Sequence, residues 1–179
     1  ATTSVWRAAL LSGIDRAKGL QSAAALFDVR ECYDGVPFNR LEDSLSNNGC
    51  PDDIAQFALS VYRQPRTLIY GGASALPIVP TRSIVAGCSY ATGFLRSLLL
   101  EPLDSFVEAR PARTLRMHVD DGFLRRTIRD HADVVSFARA TAELFRTITC
   151  GTLLDIAPGK THIVASSPTV ADTVRTPLG

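Results

Sequence analysis

Two adjacent aspartates, Asp120 and Asp121, stand between two short apolar runs of the chain. Apolar and polar residues alternate from Leu115 to Asp120, which is the period of a half-buried strand and puts Asp120 on its polar face. Asp121 and Gly122 then predict a two-residue hairpin turn, because glycine tolerates positive φ. Aspartate is also a common turn residue, so the hairpin alone leaves a metal site and an ordinary turn equally open.

A third carboxylate, Asp28, ends an apolar run that begins at Ala23. Uniformly apolar runs of this length are typical of a central strand. Hard divalent cations prefer oxygen ligands, so two aspartates that meet across neighbouring strands would form a cage for such ions. We therefore expect the carboxylate oxygens of Asp28 and Asp120 to lie within about 8 Å of each other, since a larger separation would prevent them from sharing a metal.

The composition is that of one globular domain, with 179 residues of which 46% are hydrophobic and 21% charged. No apolar run is long enough for a spanning helix and no signal-peptide pattern is present, which predicts a soluble, intracellular protein without a membrane partner. A net charge of +1 does not by itself indicate nucleic acid as a partner. The four cysteines are scattered without a C-x-x-C pair, so neither a zinc site nor a disulfide framework is predicted.

The elements that must position the aspartates follow from hydrophobic periodicity and turn residues. In chain order they are a helix over 3–20, a strand over 22–29, helices over 37–46 and 51–64, short strands at 67–70 and 78–79, a loop over 81–89, a helix over 90–107, the Asp-Asp hairpin, a helix over 131–149 capped by Asp130, and strands at 152–156 and 162–165. The predicted fold class is α+β, a ferredoxin-like antiparallel sheet with helices packed on one face and the other face open.

Four segments in this order resemble the palm of a reverse transcriptase of the non-long-terminal-repeat retrotransposon or group II intron type. The segment 28–34 resembles the first catalytic motif, in which an Asp is followed five residues later by an aromatic residue and then a second Asp. The segment 118–121 resembles the aromatic-x-Asp-Asp hairpin, 82–89 the R-G-x-P-Q-G-S loop, and 159–161 the later lysine motif. The resemblance divides the chain into an N-terminal helix over 1–21, the polymerase palm over 22–165 and a loose tail over 166–179.

The resemblance implies RNA-directed DNA synthesis by two-metal nucleotidyl transfer of deoxynucleotides onto a primer 3′-hydroxyl. Asp28 and Asp120 would be the principal ligands of two Mg²⁺ ions, or of Mn²⁺ in their place, and the backbone carbonyl of Val29 a further ligand. Asp121 would be the third carboxylate of the site, with its alternative as a turn residue left open. Lys160 would donate a proton to the leaving pyrophosphate, and its alternative is a solvated turn lysine.

The same resemblance implies a substrate pocket formed by Tyr33 beneath the sugar and by Arg82, Ala86 and Gly87 of the loop. Its partners would be an RNA or DNA template with an annealed primer, a dNTP, and the fingers and thumb regions of a longer polyprotein. The loop departs from the family pattern, because its first glycine is Ser83 and its glutamine is Ala86. The hairpin also departs from the family pattern, because His118 replaces its usual aromatic residue. Candidates for contact with phosphate are Arg82, Arg125 and Arg126.

Other functions remain open from the sequence. The first is a catalytically inactive palm remnant that acts as a nucleic-acid or protein-binding module. A diguanylate-type cyclase would carry Gly-Gly where this chain has His118-Val119, and an RNA-recognition module of similar topology would place aromatics where Arg116 and His118 stand. A Walker phosphate loop at Gly159-Lys160-Thr161 is excluded, since its first glycine would fall on Leu154.

Overall fold

The computed structural model of the chain describes residues 2–110 and 114–175. The helices are α1 (Thr2–Ala17), α2 (Phe38–Asn47), α3 (Asp52–Tyr62), α4 (Ala91–Glu108), α5 (His131–Thr152) and α6 (Pro168–Arg175). The strands are β1 (Gln21–Asp28), β2 (Ile69–Tyr70), β3 (Ala73–Ser74), β4 (Thr114–His118), β5 (Asp121–Ile128) and β6 (His162–Ala165), with a short 3₁₀ helix at Pro158–Lys160. Among these, no helix has both the length and the apolarity needed to cross a membrane.

The main sheet has the strand order β4-β5-β1-β6, and its neighbouring strands are all antiparallel. This is the order that a β-α-ββ-α-β unit produces when the hairpin inserts its second strand beside the first strand. Strand β1 is central and nearly every residue of it is buried, which explains its uniformly apolar sequence. The predicted α+β, ferredoxin-like fold class is confirmed.

The core lies between the sheet and the helices that cover its inner face. Alternate residues of β1, namely Ala23, Ala25 and Phe27, point into it and are almost fully buried. The ring of Phe145 on α5 meets the ring of Phe27 edge-on, with centroids 5.2 Å apart. Each large apolar side chain buried here contributes roughly 1.5–3 kcal/mol relative to exposure. This packing fixes the position of β1 and therefore of Asp28 at its end.

Helix α1 crosses the opposite face of the sheet, which the sequence predicted to be open. Asp15 of α1 forms a buried ion pair with Arg125 of β5 and accepts a hydrogen bond of 3.0 Å from the hydroxyl of Thr127. A second contact joins the hydroxyls of Ser12 and Ser22 at 3.4 Å. Because Arg125 and Thr127 alternate with core-facing residues, a polar residue on α1 is needed to satisfy them.

The Asp-Asp hairpin turns two residues earlier than the sequence predicted. His118 pairs with Asp121, so the two-residue loop is Val119-Asp120 and Asp121 already belongs to β5. Val119 accordingly has a φ of 60°, and Gly122 lies within the strand. A Cβ at Gly122 would come within 2.0 Å of the ring of Phe27, so this glycine serves close packing and not a turn.

The C-terminal third also differs from prediction. Helix α5 continues through Gly151 to Thr152, and a Cβ at Gly151 would lie 2.8 Å from Pro102 of α4. The predicted strand at 152–156 is reduced to a single bridge between Ile156 and Val29. The tail predicted to be loose forms α6 over most of its length, because Val170 and Val174 are buried in the core; its last residues, 176–179, lie outside the described part of the chain.

A second, two-stranded sheet, β2–β3, stands apart from the main sheet. Its turn is Gly71-Gly72, with φ values of 57° and 82° that glycine adopts without strain. The strand predicted at 78–79 contributes one bridge, between Ile78 and Arg66. Six large apolar residues in and beside this hairpin are exposed: Leu68, Ile69, Tyr70, Leu76, Ile78 and Val79.

Candidate active site

Three carboxylates meet at one edge of the main sheet. Asp28, Asp120 and Asp121 each present an oxygen, and these oxygens all lie within 4.8 Å of one another. Asp28 is buried, Asp120 half-buried and Asp121 exposed, so the cluster opens to solvent on one side. The expectation that Asp28 and Asp120 lie within metal-sharing distance is confirmed, whereas Asp120 stands in the hairpin loop and not on a strand.

Backbone pairing brings the three carboxylates together. Asp28 is the register partner of Asp121 at the end of the β1–β5 ladder. One residue further on, the amide of Val29 donates a 2.9 Å hydrogen bond to the backbone carbonyl of Asp120. Val119 holds the left-handed conformation, which is uncommon for a β-branched residue and is tolerated where surrounding structure enforces it. The hairpin loop is thus fastened to β1 beside the cluster.

Lys160 is the cation that the structure brings to this cluster. Its Nζ lies 2.8 Å from a carboxylate oxygen of Asp28, although its side chain is 70% exposed. The amide of Ala157 donates to the carbonyl of Asp28 at 2.8 Å, which carries the chain past the site into the 3₁₀ helix that ends at Lys160. The hydrogen bond to Asp28 and its charge raise the pKa of Lys160, so the amine stays protonated.

The thiol of Cys32 lies in the negative potential of the carboxylates. Burial, together with the charges of Asp120 and Asp28, raises the pKa of Cys32 to about 11. The site therefore carries three acids against one nearby lysine. Clustered carboxylate oxygens with excess negative charge are a suitable donor set for a hard divalent cation, and Asp28, Asp120 and Asp121 are the residues that could hold one.

The residues predicted to bind substrate lie on two segments that contact each other. The hydroxyl of Tyr33 lies 3.3 Å from that of Thr92 on α4, and its backbone carbonyl accepts a 2.8 Å hydrogen bond from the amide of Ile84. Arg82 is exposed, and its backbone bridges to Pro37 in the turn that follows Tyr33. Ala86 and Gly87 are exposed further along the same loop.

Two arginines suggested as phosphate contacts are engaged elsewhere. Arg125 is buried with Asp15, and Arg126 forms an ion pair with Asp133 at the start of α5. Both are used to hold helices against β5. Arg82 remains exposed, and His118, at the end of β4, is exposed beside the carboxylates.

The sequence did not indicate the residues that hold the loop over 82–89. Arg66 donates to the hydroxyl of Ser83, which in turn lies 3.3 Å from Asp34. The hydroxyl of Tyr62 donates to the sulfur of Cys88 at 3.1 Å. A signal was present for Ser83, because it stands where the resembling loop has a glycine; nothing in the sequence pointed to Arg66 or Tyr62.

Comparison with known proteins identifies the fold. No protein-family model matches the chain, and no curated protein matches it. Solved structures do match, 67 chains in all, and three of them are structures of telomerase from Candida tropicalis. These are an apo form truncated from its C-terminal domain, a complex with a TWJ fragment of telomeric RNA, and a further apo form.

The similarity extends over most of this chain. The TM-scores are 0.64, 0.64 and 0.60 at sequence identities of 15%, 17% and 15%, with 93%, 94% and 82% of this chain covered. The matched parts are 36%, 30% and 29% of the telomerase chains, so this chain spans about a third of their length. Telomerase is a reverse transcriptase, and the chain has a reverse-transcriptase-like α+β fold with three carboxylates gathered at one edge of its sheet.

Proposed function

We propose that the chain is the palm of an RNA-directed DNA polymerase, which transfers deoxynucleotides from dNTPs to a primer 3′-hydroxyl. One observation carries the proposal: Asp28, Asp120 and Asp121 bring carboxylate oxygens within 4.8 Å of one another on a reverse-transcriptase-like fold. Like charges at this distance destabilise the fold unless a cation balances them, so a cluster of this kind is suited to binding one.

Asp28 and Asp120 are the principal ligands in this proposal, with the backbone carbonyl of Val29 and the carboxylate of Asp121 completing the site. The ions would be Mg²⁺, with Mn²⁺ as the alternative, since both are hard and favour oxygen donors. When bound, they would favour ionisation of the primer hydroxyl and neutralise the triphosphate.

Lys160 acts as the proton donor of the reaction. Its Nζ carries the proton, because the hydrogen bond to Asp28 and the charge of Asp28 raise the pKa of the amine. That proton would pass to an oxygen of the leaving pyrophosphate. Because Nζ is bonded to Asp28 and its side chain is exposed, Lys160 would exchange Asp28 for the pyrophosphate during the reaction.

The substrates are bound by Tyr33, Arg82, Ala86 and Gly87. The ring of Tyr33, five residues beyond Asp28, forms the floor of the sugar pocket, and Arg82 contacts phosphate. The RNA fragment in one of the telomerase structures supports an RNA or DNA template with an annealed primer as the partner. Contacts to the nucleic-acid backbone would dominate, because a polymerase must accept every sequence.

Fingers and thumb regions of a longer polyprotein would complete the enzyme. Two observations support this: the chain spans about a third of the telomerase chains, and six large apolar side chains in and beside the β2–β3 hairpin are exposed. Exposed apolar groups at this density mark surfaces that contact another protein region. A retrotransposon or group II intron origin is part of the proposal and rests on the motif resemblance alone.

The inactive-palm alternative rests on Ser83, Ala86 and His118, which depart from the family pattern. Mg²⁺ titration and primer extension separate the two readings. We expect Mg²⁺ to bind the chain, and we expect the polypeptide with its native flanking sequence to extend a primer in a reaction that Asp120→Asn abolishes. Asp104→Asn, an exposed aspartate on α4, is the matched control and should leave both unchanged. Mg²⁺ binding without extension would leave the inactive palm as the function.

Tyr33 provides a second test, of substrate class. A ring beneath the sugar excludes a 2′-hydroxyl by repulsion, so a smaller residue should relax the exclusion. We expect Tyr33→Val to lower the ratio of kcat/KM for deoxyribonucleotides over ribonucleotides while DNA synthesis continues. This ratio does not depend on the amount of active enzyme. A fall in activity with an unchanged ratio would make Tyr33 a packing residue.

A further inference from the structure

We propose that the last residue of α3 and the segment that follows the helix position the nucleotide pocket: Tyr62 and Arg66 fasten the two ends of loop 83–88, and the loop in turn sets the placement of Tyr33. Tyr62, Arg66 and Ser83 are positioning residues in this inference. It rests on the proposed function and concerns how the same site selects its substrate.

The first fastening point is the hydroxyl of Ser83. Arg66 Nη1 donates to it at 3.1 Å, while Arg66 Nη2 donates to the carbonyl of Tyr62 at 3.1 Å, so the guanidinium joins the loop to the last turn of α3. The hydroxyl hydrogen of Ser83 has two acceptors in range, a carboxylate oxygen of Asp34 at 3.3 Å and the carbonyl of Ile84 at 3.2 Å. Since a hydroxyl has one hydrogen, these acceptors compete for it.

The backbone at Ser83 explains why the hydroxyl is needed. Ser83 has a φ of 125°, a conformation that glycine adopts freely and other residues adopt only when held. It is 4% exposed, and its amide donates to the carbonyl of Val36 at 2.9 Å. The chain thus has a serine in a glycine conformation, with its side chain bonded on both sides. The hydrogen bond from Arg66, together with the one that the hydroxyl donates to Asp34 or to the Ile84 carbonyl, offsets the unfavourable φ.

The second fastening point is Cys88, at the other end of the loop. Its sulfur accepts from the hydroxyl of Tyr62 at 3.1 Å and from the amide of Tyr90 at 3.4 Å. Tyr62 is almost fully buried, and burial together with the bond to Cys88 raises the pKa of its hydroxyl, so it stays a donor. Ala86 and Gly87 are exposed between the two fastened ends.

The loop transmits this fastening to Tyr33 through the backbone. The amide of Ile84, next to Ser83, donates to the carbonyl of Tyr33 at 2.8 Å. Asp34, the acceptor of the Ser83 hydroxyl, is the residue after Tyr33. A shift of the loop would therefore move both the floor of the sugar pocket and the exposed Ala86-Gly87 segment. A misplacement of about 1 Å in a group that positions the substrate can change the reaction rate by about a hundredfold.

Amide hydrogen exchange of the chain tests the fastening itself. Ser83→Ala removes the hydroxyl and keeps the Cβ, and we expect roughly 3- to 10-fold faster exchange of the Ile84 amide, the effect of one lost hydrogen bond. Tyr62→Phe should accelerate exchange of the Tyr90 amide. The matched controls are Ser97→Ala, which removes a serine hydroxyl bonded to Ser44, and Tyr70→Phe, at a residue that is 86% exposed. Unchanged exchange in both test variants would overturn the fastening.

Substrate discrimination tests the positioning of Tyr33. In the polypeptide that extends primers, Ser83→Ala should lower the kcat/KM ratio of deoxyribonucleotide over ribonucleotide by about threefold or more, and Ser97→Ala should not. Because Ser83 acts through Tyr33, the double variant with Tyr33→Val should show no further fall. Faster exchange with an unchanged ratio would overturn the positioning role. If the unmutated polypeptide extends no primer, the proposed function fails, and exchange alone decides whether the fastening exists.

Discussion

Strand β5 contributes to two clusters of charged side chains, which differ in charge balance. In the middle of the strand, Arg125 is paired with Asp15 of α1, and both side chains are buried. Where β5 begins and β1 ends, three carboxylates face one lysine, whose side chain is 70% exposed. The same strand thus carries a balanced, buried ion pair at its middle and an unbalanced, open acid cluster at its start.

The difference distinguishes a structural role from the ligand-binding role proposed for the acid cluster. A buried ion pair in which both charges are satisfied holds two elements together, and its disruption leaves one charge without compensation. The Nε of Arg125 is buried without a hydrogen-bond partner, so even this pair is not fully satisfied. The acid cluster has no such balance, and the fold tolerates its repulsion at an edge open to solvent. A cation from solution would change the stability of the second cluster and leave the first unaffected.

The largest expected effect is at the balanced cluster. Asp15→Ala should lower the free energy of unfolding by about 3–5 kcal/mol, because it leaves the buried guanidinium of Arg125 unpaired. Urea unfolding monitored by circular dichroism measures it. Arg63→Ala, which breaks the exposed pair with Glu42, is the control and should cost less than about 1 kcal/mol. The double change Asp15→Leu with Arg125→Met should recover most of the loss; an equally unstable double variant would contradict the pairing argument.

The second effect concerns Cys32, a thiol whose pKa is raised by burial and by the acid cluster. With its pKa raised to about 11 by burial and by Asp120 and Asp28, Cys32 should react with iodoacetamide at pH 8 roughly a hundredfold more slowly than exposed Cys150. Mass spectrometry of the alkylated chain measures both rates. Since the folded pKa lies above the unfolded value of 9.0, stability from this thiol is present below pH 9 and is lost as the pH rises toward 11. Equal reactivity of the two thiols would contradict the burial.

The third effect compares the acid cluster with and without a cation. Asp120→Asn should raise the free energy of unfolding in EDTA by up to about 1 kcal/mol. The substitution removes one negative charge, which lies within 4.8 Å of the carboxylate oxygens of Asp28 and Asp121. Thermal melts should show the opposite order with Mg²⁺ present, because the wild type gains more from the ion. A lower melting temperature of Asp120→Asn in EDTA would mean that Asp120 is mainly structural.

The smallest effect is at the protein surface, away from both clusters. Hydrogen bonds from Gln56 and then Arg63 lower the pKa of Glu42. This stabilisation is present above the ordinary glutamate pKa of 4.5 and is lost as the pH falls through the lowered value. Because the pair is exposed, Glu42→Gln should cost only about 0.3 kcal/mol at pH 7 and progressively less as the pH falls below 4.5. A cost that is independent of pH would point to packing instead.

The acid cluster was predictable from sequence because strand ends are predictable. An apolar run that stops at Asp28 and a hairpin bearing Asp120 place both acids at an edge, whichever exact turn is used. The turn itself was misplaced by two residues. Gly122 was interpreted as a turn residue, and the helix predicted over 131–149 stopped short of Gly151, yet each glycine is needed because a ring or a proline from another element lies against it. Sequence rules explain a glycine by the backbone conformation that it adopts. They contain no information on which residues of other elements pack against it.

Contacts between distant segments were beyond the sequence. Asp15 and Arg125 are 110 residues apart, and Ser83 meets Asp34 across 49 residues. No periodicity links such pairs, so α1 was not expected on the outer face and the fastening of the loop was not found. The helix α6 was missed for a related reason: its eight residues are stabilised by burial of Val170 and Val174 and not by a long amphipathic pattern.

The contact between Phe27 and Gly122 fixes the register of β1 and β5. If β5 slid by one residue, the ring of Phe27 would meet Asp121 or Phe123 in place of the bare glycine backbone, and every side chain of the strand would change face. Only the correct alignment therefore brings Asp28 opposite Asp121. A cation that requires the acids together would bind correctly aligned molecules and not slipped ones. It would therefore stabilise the correct register over the slipped ones during folding.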